Sequence, residues 1–218
     1  MKINKNILIH IIGIGGIGMS GIAEILSDMR YHVQGSDINI NSNILRLNKK
    51  NIKTFKGHKQ ENLKNVNLIV YSTAVKKSNV ELTFAKKNKI PSITRAEILS
   101  QIVKLKNSIA ISGSHGKTTT TSLISSILNA AKMNPTVING GIINQFGTNT
   151  RLGSGKWMVV EADESDGTFV KLPSTIAIVT NIDKEHLDFY KNYNNLLVQF
   201  KKFITQVPFY GFSIVCID

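Results

Sequence analysis

Apolar positions along this chain alternate between short continuous runs and stripes of helical spacing. The run 7–12 is apolar except for His10, as a strand covered on both faces of a parallel sheet requires. After a glycine-rich turn, Met19, Ile22, Ala23, Ile25 and Leu26 recur as one face of a helix. The alternation continues with strands expected at 32–36, 52–55, 67–71 and 91–93, and helices near 43–50, 80–88 and 95–103. A polar break, Lys104-Leu105-Lys106-Asn107, precedes a second series: a strand at 108–112, a helix carrying Leu123, Ile124, Ile127, Leu128 and Ala131, then strands near 136–139, 157–160 and 175–180. The glycine-rich segment 140–155 reads as loop, and the chain closes on a strand-like run at 213–218. Strands alternating with helices predict an α/β protein. The expectation is a Rossmann-like, doubly wound parallel-sheet domain over residues 1–106, followed over 107–218 by a P-loop α/β ATPase domain.

Composition narrows this picture without redirecting it. No apolar run approaches the roughly twenty residues of a membrane span, and no cleavage-site pattern precedes the first strand, so a cytoplasmic protein without membrane insertion is expected. A single cysteine, Cys216, excludes an internal disulfide and reads as a buried apolar residue. The net charge of +13 raises nucleic acid as a partner, but Lys49-Lys50, Lys86-Lys87 and Lys201-Lys202 are scattered pairs without interleaved aromatics. Solvated helix faces account for them, and no nucleic-acid partner is expected. Oligomeric state is not readable from these patterns.

Three groups of residues carry chemistry. Gly13, Gly15, Gly16 and Gly18 form a G-x-G-x-x-G turn between the first strand and helix, and Asp37 ends the second strand nineteen positions after Gly18. That spacing is a dinucleotide fingerprint, and it supports an NAD(P)-binding oxidoreductase as a rival reading. In a doubly wound sheet, ligands sit beyond the carboxyl ends of the strands, which places the glycine turn, Asp37, Ser72 and Thr73 on one rim. His58, beside a glycine in a polar loop, is a further candidate, whereas His10 and His32 fall within strand segments and read as core or edge residues. The second group is Gly113, Ser114, His115, Gly116, Lys117, Thr118 and Thr119, a glycine loop between strand and helix. Glycine dihedrals let successive amides converge on an anion, and the helix N-terminus adds partial positive charge. Lys117 reaches terminal phosphates and Thr118 ligates Mg²⁺ in such loops. Ile111 stands where the full Walker pattern has its first glycine. The third group lies at two later strand ends: Glu161-Ala162-Asp163-Glu164-Ser165-Asp166-Gly167, and Asn181 through His186-Leu187-Asp188. Four carboxylates in so short a stretch repel one another unless a cation offsets them, and beside a phosphate loop that cation is Mg²⁺.

In order along the chain, the strings Gly13 to Gly21, Gly113 to Thr121, Glu161 to Gly167, and Asn181 with His186-Leu187-Asp188 resemble the Mur ligases of peptidoglycan synthesis, and most closely those that add alanine. The resemblance implies that the first domain holds the UDP part of UDP-N-acetylmuramate, with Gly13, Gly15, Gly16, Gly18, Asp37, His58, Ser72 and Thr73 as its binding residues. It implies that Lys117 contacts ATP, that Thr118 and Glu161 ligate one Mg²⁺ and His186 a second, and that Lys117, Glu161 and His186 are the catalytic set. The implied reaction passes the γ-phosphoryl group of ATP to the substrate carboxylate, and the amine of L-alanine attacks the acyl phosphate. Family members continue past the point where this chain stops, through the rest of the ATPase domain and a C-terminal domain absent here. Little or no ligase activity is therefore expected of these 218 residues, and a non-catalytic nucleotide-binding fragment is the alternative.

Overall fold

The computed structural model describes residues 7–143 and 148–217, which divide into two compact units, Met1–Ile98 and Leu99–Asp218. The division falls inside a helix, α4 (Arg95–Val103), upstream of the compositional border at 106/107. The later turns of α4 are tied to the second unit by Ser100, whose hydroxyl donates to the Lys171 carbonyl at 3.0 Å.

The first unit contains β1 (Leu8–Ile12), α1 (Ile17–Asp28), β2 (His32–Asp37), α2 (Ser42–Lys49), β3 (Lys53–Lys56), β4 (Leu68–Tyr71), α3 (Val80–Lys87) and β5 (Ser92–Thr94). All five strands are parallel, in the order β3-β2-β1-β4-β5. The chain winds outward from β1 in one direction and then returns to its other side at β4, so the switch point lies between β1 and β4. Register does the rest: Ile12 pairs with both Ser36 and Tyr71, so the strands end level and Gly13, Asp37 and Ser72 emerge on one rim. Asparagine side chains start the helices, Asn41 accepting from the Ile44 amide and Asn79 from those of Glu81 and Leu82.

Gly35 in β2 is demanded by packing. A Cβ there would lie 2.6 Å from Ile14 Cδ1 and 2.7 Å from its Cβ, and closer still to the Ile11 carbonyl oxygen. Gly35→Ala is expected to destabilise this unit by about 3 kcal/mol, since overpacked cores yield only by moving backbone. Urea denaturation checks this, and an unchanged midpoint would contradict the packing argument.

The second unit contains β6 (Asn107–Ser112), α5 (Lys117–Ala130), β7 (Thr136–Ile143), β8 (Thr148–Arg151), β9 (Trp157–Glu161), β10 (Ile176–Val179), α6 (Leu187–Tyr190), α7 (Tyr193–Thr205) and β11 (Phe212–Val215). Its sheet runs β11-β10-β6-β9-β7-β8, parallel except for the β7–β8 pair. Ile109, Ile111 and Val159 form a core cluster against Ile124 and Leu128 of α5. Phe169 packs its ring, tilted, against Phe200 and Phe203 with centroids 5.0 and 5.3 Å away, anchoring α7.

Two expectations are corrected here. The segment 140–155 is not all loop, because β7 runs through Gly140 and Gly141 and pairs antiparallel with β8; residues 144–147 within it lie outside the described residues. Cys216 is exposed rather than buried, because it follows β11, the edge strand of the sheet among the described residues.

Candidate functional site

In the first unit, a cavity of about 490 Å³ opens at the level ends of β1, β2 and β4. Of the residues expected to bind the UDP moiety, Gly13, Gly16, Asp37, His58 and Ser72 line it, while Gly15, Gly18 and Thr73 do not. Gly13 takes φ +78°, a left-handed conformation suited to glycine, and its amide donates to the Ser36 carbonyl at 2.8 Å. Gly15 is instead part of the loop's scaffold. Its amide donates to Asp37 Oδ2 at 2.9 Å, and its carbonyl accepts from Asn41 and Asn43 side chains at 3.0 and 2.8 Å. Asp37 Oδ1 also accepts from the Asn39 amide at 3.1 Å, so this carboxylate shapes the loop as well as facing the cavity. Gly18 makes room for Arg95, whose Nη1 would lie 2.7 Å from a Cβ at that position.

In the second unit, the loop between β6 and α5 is held from behind by the end of β10. The Ser114 amide donates to the Asn181 carbonyl at 3.1 Å, the His115 amide to Asn181 Oδ1 at 2.8 Å, and the Asp183 amide to Ser114 Oγ at 2.8 Å. Gly113, at φ +136°, packs so closely that a Cβ would fall 2.9 Å from the Asn181 carbonyl oxygen and onto Thr180 Oγ1. Gly116, at φ +80°, N-caps α5 with open space where a side chain would be. Amides at the head of α5 are thereby left to face an anion.

Lys117 opens α5 and folds back over this loop. Its Nζ donates to the Gly113 carbonyl at 2.6 Å, the Ser114 carbonyl at 3.2 Å and Glu164 Oε1 at 2.9 Å. Thr118 Oγ1 donates to Glu161 Oε2 at 2.9 Å, and the same oxygen accepts from the Gly140 amide at 2.9 Å. Gly140 matters through its missing side chain, since a Cβ there would lie 2.8 Å from Glu161 Cδ.

The four clustered carboxylates separate by role. Asp163 accepts from the Ser165 amide and Asp166 from the Thr168 amide and hydroxyl, forming turns within their own loop. Glu161 and Glu164 face the head of α5, where they meet Thr118 and Lys117. Glu164 is buried, which pushes its carboxyl above the usual range, and the hydrogen bond from Lys117 only partly offsets that. Its Oε2 has no hydrogen-bond partner among the described residues. Tyr190 donates its hydroxyl to the Glu164 carbonyl, and burial with neighbouring Glu164 pushes that phenol up to about 12.

Ligand atoms of Glu164, Glu185 and His186 lie within 4.8 Å of one another, with His186 Nε2 3.6 Å from Glu164 Oε1. His186 is thus grouped with Glu164 and Glu185, while Thr118 and Glu161 form a separate pair. Both sets offer oxygen donors of the kind Mg²⁺ takes, and Glu164 Oε2, without a hydrogen-bond partner among the described residues, is a further acceptor. His115 Nε2 meets Asp183 Oδ2 at 3.2 Å and Glu185 Oε1 at 3.6 Å, so the exposed loop histidine leans toward the end of β10. Glu164, Glu185 and Gly140 were not singled out by the sequence; the crowding of carboxylates at 161–166 was the available signal.

A family model described as Mur ligase family, catalytic domain, matches residues 8–107, and one described as Mur ligase middle domain matches 111–218. Among curated proteins, the UDP-N-acetylmuramate–L-alanine ligase of Brucella anthropi is 56% identical over all of this chain and 47% of its own length. The same-named protein of Allorhizobium ampelinum is also 56% identical, with 46% of its length covered. The chain therefore spans about half the length of the curated relatives it matches. Among solved structures, a UDP-N-acetylmuramate-alanine ligase from Thermotoga maritima is similar with TM-score 0.87 and 31% identity, over 93% of this chain and 48% of that one. A UDP-N-acetylmuramate:L-alanyl-gamma-D-glutamyl-meso-diaminopimelate ligase from Neisseria meningitides is similar with TM-score 0.89 and 26% identity, over 96% and 71%.

Proposed function

We propose, from the premise that the chain belongs to the Mur ligase family, that it carries the UDP-substrate and ATP-phosphate sites of a ligase joining L-alanine to UDP-N-acetylmuramate. The observation that carries this reading is the identity of 56% across the whole chain to relatives named for that reaction. The site geometry supports it. In the first unit, the turn from Gly13 to Gly16 at the head of α1 suits a diphosphate, and His58 and Ser72 line the same cavity. In the second, Lys117 is positioned to exchange its loop carbonyls for the terminal phosphates of ATP.

Thr118 and Glu161 would hold one Mg²⁺, and His186 with Glu164 and Glu185 a second. When bound, these ions screen the repulsion between the triphosphate and the carboxylate that must approach it. The chain's own groups set the geometry: amides at the head of α5 orient the phosphates, and Gly140 with Thr118 aims the Glu161 carboxylate. A carboxylate made into an acyl phosphate is then open to the amine of L-alanine. We place the reaction in the cytoplasm, where ATP and the UDP-sugar are both available; no described helix is long and apolar enough to cross a membrane.

Because the chain spans 47% of the length of one relative, we expect binding without turnover. The purified chain should take up UDP-N-acetylmuramate and release no ADP when ATP and L-alanine are added. Calorimetry and a coupled ADP assay test both halves of this statement. NADH binding with no uptake of the UDP-sugar would replace it with the oxidoreductase reading.

A further inference from the structure

The cavity of the first unit backs onto a polar network that the chemistry above does not use. Its hub is Glu81, near the start of α3, with a wholly buried side chain. Oε1 accepts from Asn62 Nδ2 at 2.7 Å and from the Lys59 amide at 3.3 Å. Oε2 accepts from Ser36 Oγ at 2.5 Å and lies 3.2 Å from His58 Nδ1 and 3.4 Å from His10 Nε2. Burial alone would raise this carboxyl, but hydrogen bonds from His10, Ser36 and Asn62 outweigh it and hold it at about 2. At neutral pH the group is ionised and only accepts.

Counting donors then assigns the rings. Ser36 has one hydroxyl proton, directed at Glu81, so its oxygen accepts from His58 Nδ1 at 2.9 Å and from His10 Nε2 at 3.3 Å. Gln34 Nε2 lies 3.3 Å from His10 Nδ1 and donates to it. His10 therefore turns Nε2–H toward Ser36 and Nδ1 toward Gln34. His58 carries its proton on Nδ1, pointed inward, and its Nε2 edge is the one left for the cavity that His58 lines.

We propose that Glu81 is a positioning residue of the nucleotide-sugar site, holding His58 in the Nδ1–H form so that Nε2 accepts a hydrogen bond from a nucleoside hydroxyl or imide N–H. This rests on the reading of the cavity as the UDP site. Phosphate is served by the glycine turn and the head of α1, whereas the nucleoside brings the donors that an unprotonated ring nitrogen needs. The network draws on β1, β2, the turn after β3 and α3, so one carboxylate sets a ring that belongs to a loop.

The experiment combines ¹⁵N shifts of the His58 ring in wild type and Glu81→Gln with UDP titrations of wild type, Glu81→Gln, His58→Ala and the double variant. Wild type should show the Nδ1–H tautomer, and Glu81→Gln a mixture. Each single change should weaken UDP binding about tenfold, the worth of one hydrogen bond, and the double variant should bind no more weakly than His58→Ala. An Nε2–H ring in wild type overturns the proposal. So does a Glu81→Gln penalty that persists in the His58→Ala background, which would mark a purely structural role. Wild type that takes up no UDP removes the reading of the cavity, while the tautomer still decides whether Glu81 positions His58.

Discussion

Lys117→Ala should weaken Mg·ATP binding about 30- to 100-fold while leaving the fold in place, the loss expected when charge-assisted hydrogen bonds to phosphate are removed. The ammonium is spread over two loop carbonyls and Glu164 Oε1. On the proposed reading, the phosphates of ATP replace the carbonyls of Gly113 and Ser114 as partners of this ammonium. The loop is also held by bonds that do not involve the lysine. Asn181 and Asp183 hold it through Ser114 and His115, and those bonds survive the substitution. A fluorescent ATP analogue, titrated with Mg²⁺ into both proteins, measures the difference. Equal affinities would mean that the nucleotide does not sit on this loop.

Gly140→Ala should separate metal-dependent from metal-independent binding. A methyl group at this position collides with the Glu161 carboxylate, the mobile end of a side chain. The fold can therefore absorb it at a cost of about 1 kcal/mol or less, but Glu161 must leave its place beside Thr118 and the Gly140 amide. ATP affinity in Mg²⁺ should fall about tenfold or more, toward the value in EDTA, with affinity in EDTA unchanged, because the donor atoms of a Mg²⁺ site tolerate little displacement. A variant with wild-type Mg²⁺ dependence would remove Glu161 from the metal site. Gly113→Ala would not be so selective, since its methyl group meets the backbone of Asn181 and φ there is +136°.

Much of the site was legible in one dimension because its chemistry is local. A glycine turn followed by a helix start binds anions through backbone that is consecutive in sequence, so Gly13 to Gly18 and Gly113 to Thr119 could be read directly. The carboxylates at 161–166 were legible as a group and not as individuals. Which of them turns inward depends on φ and on neighbours from α5 and β7: Asp163 and Asp166 close their own turns, and Glu161 and Glu164 meet Thr118 and Lys117. Glu81 was invisible for the same reason, its partners lying at 10, 36, 58 and 62 with no shared spacing. The glycines of β7 misled because glycine signals a loop by propensity, whereas here its lack of a Cβ admits a carboxylate to the strand.

The glycine turns ahead of α1 and α5 and the α/β alternation were thus determined by the sequence itself, since apolar periodicity and glycine conformational freedom act over a few neighbouring residues. Tertiary structure alone decided which distant side chains became partners: Glu164 for Lys117, Gly140 for Glu161, Glu81 for His58. Parallel strand register is the physical reason. It brings strand ends separated by tens of residues to one level, and the side chains that meet there are set by pairings that no local spacing encodes.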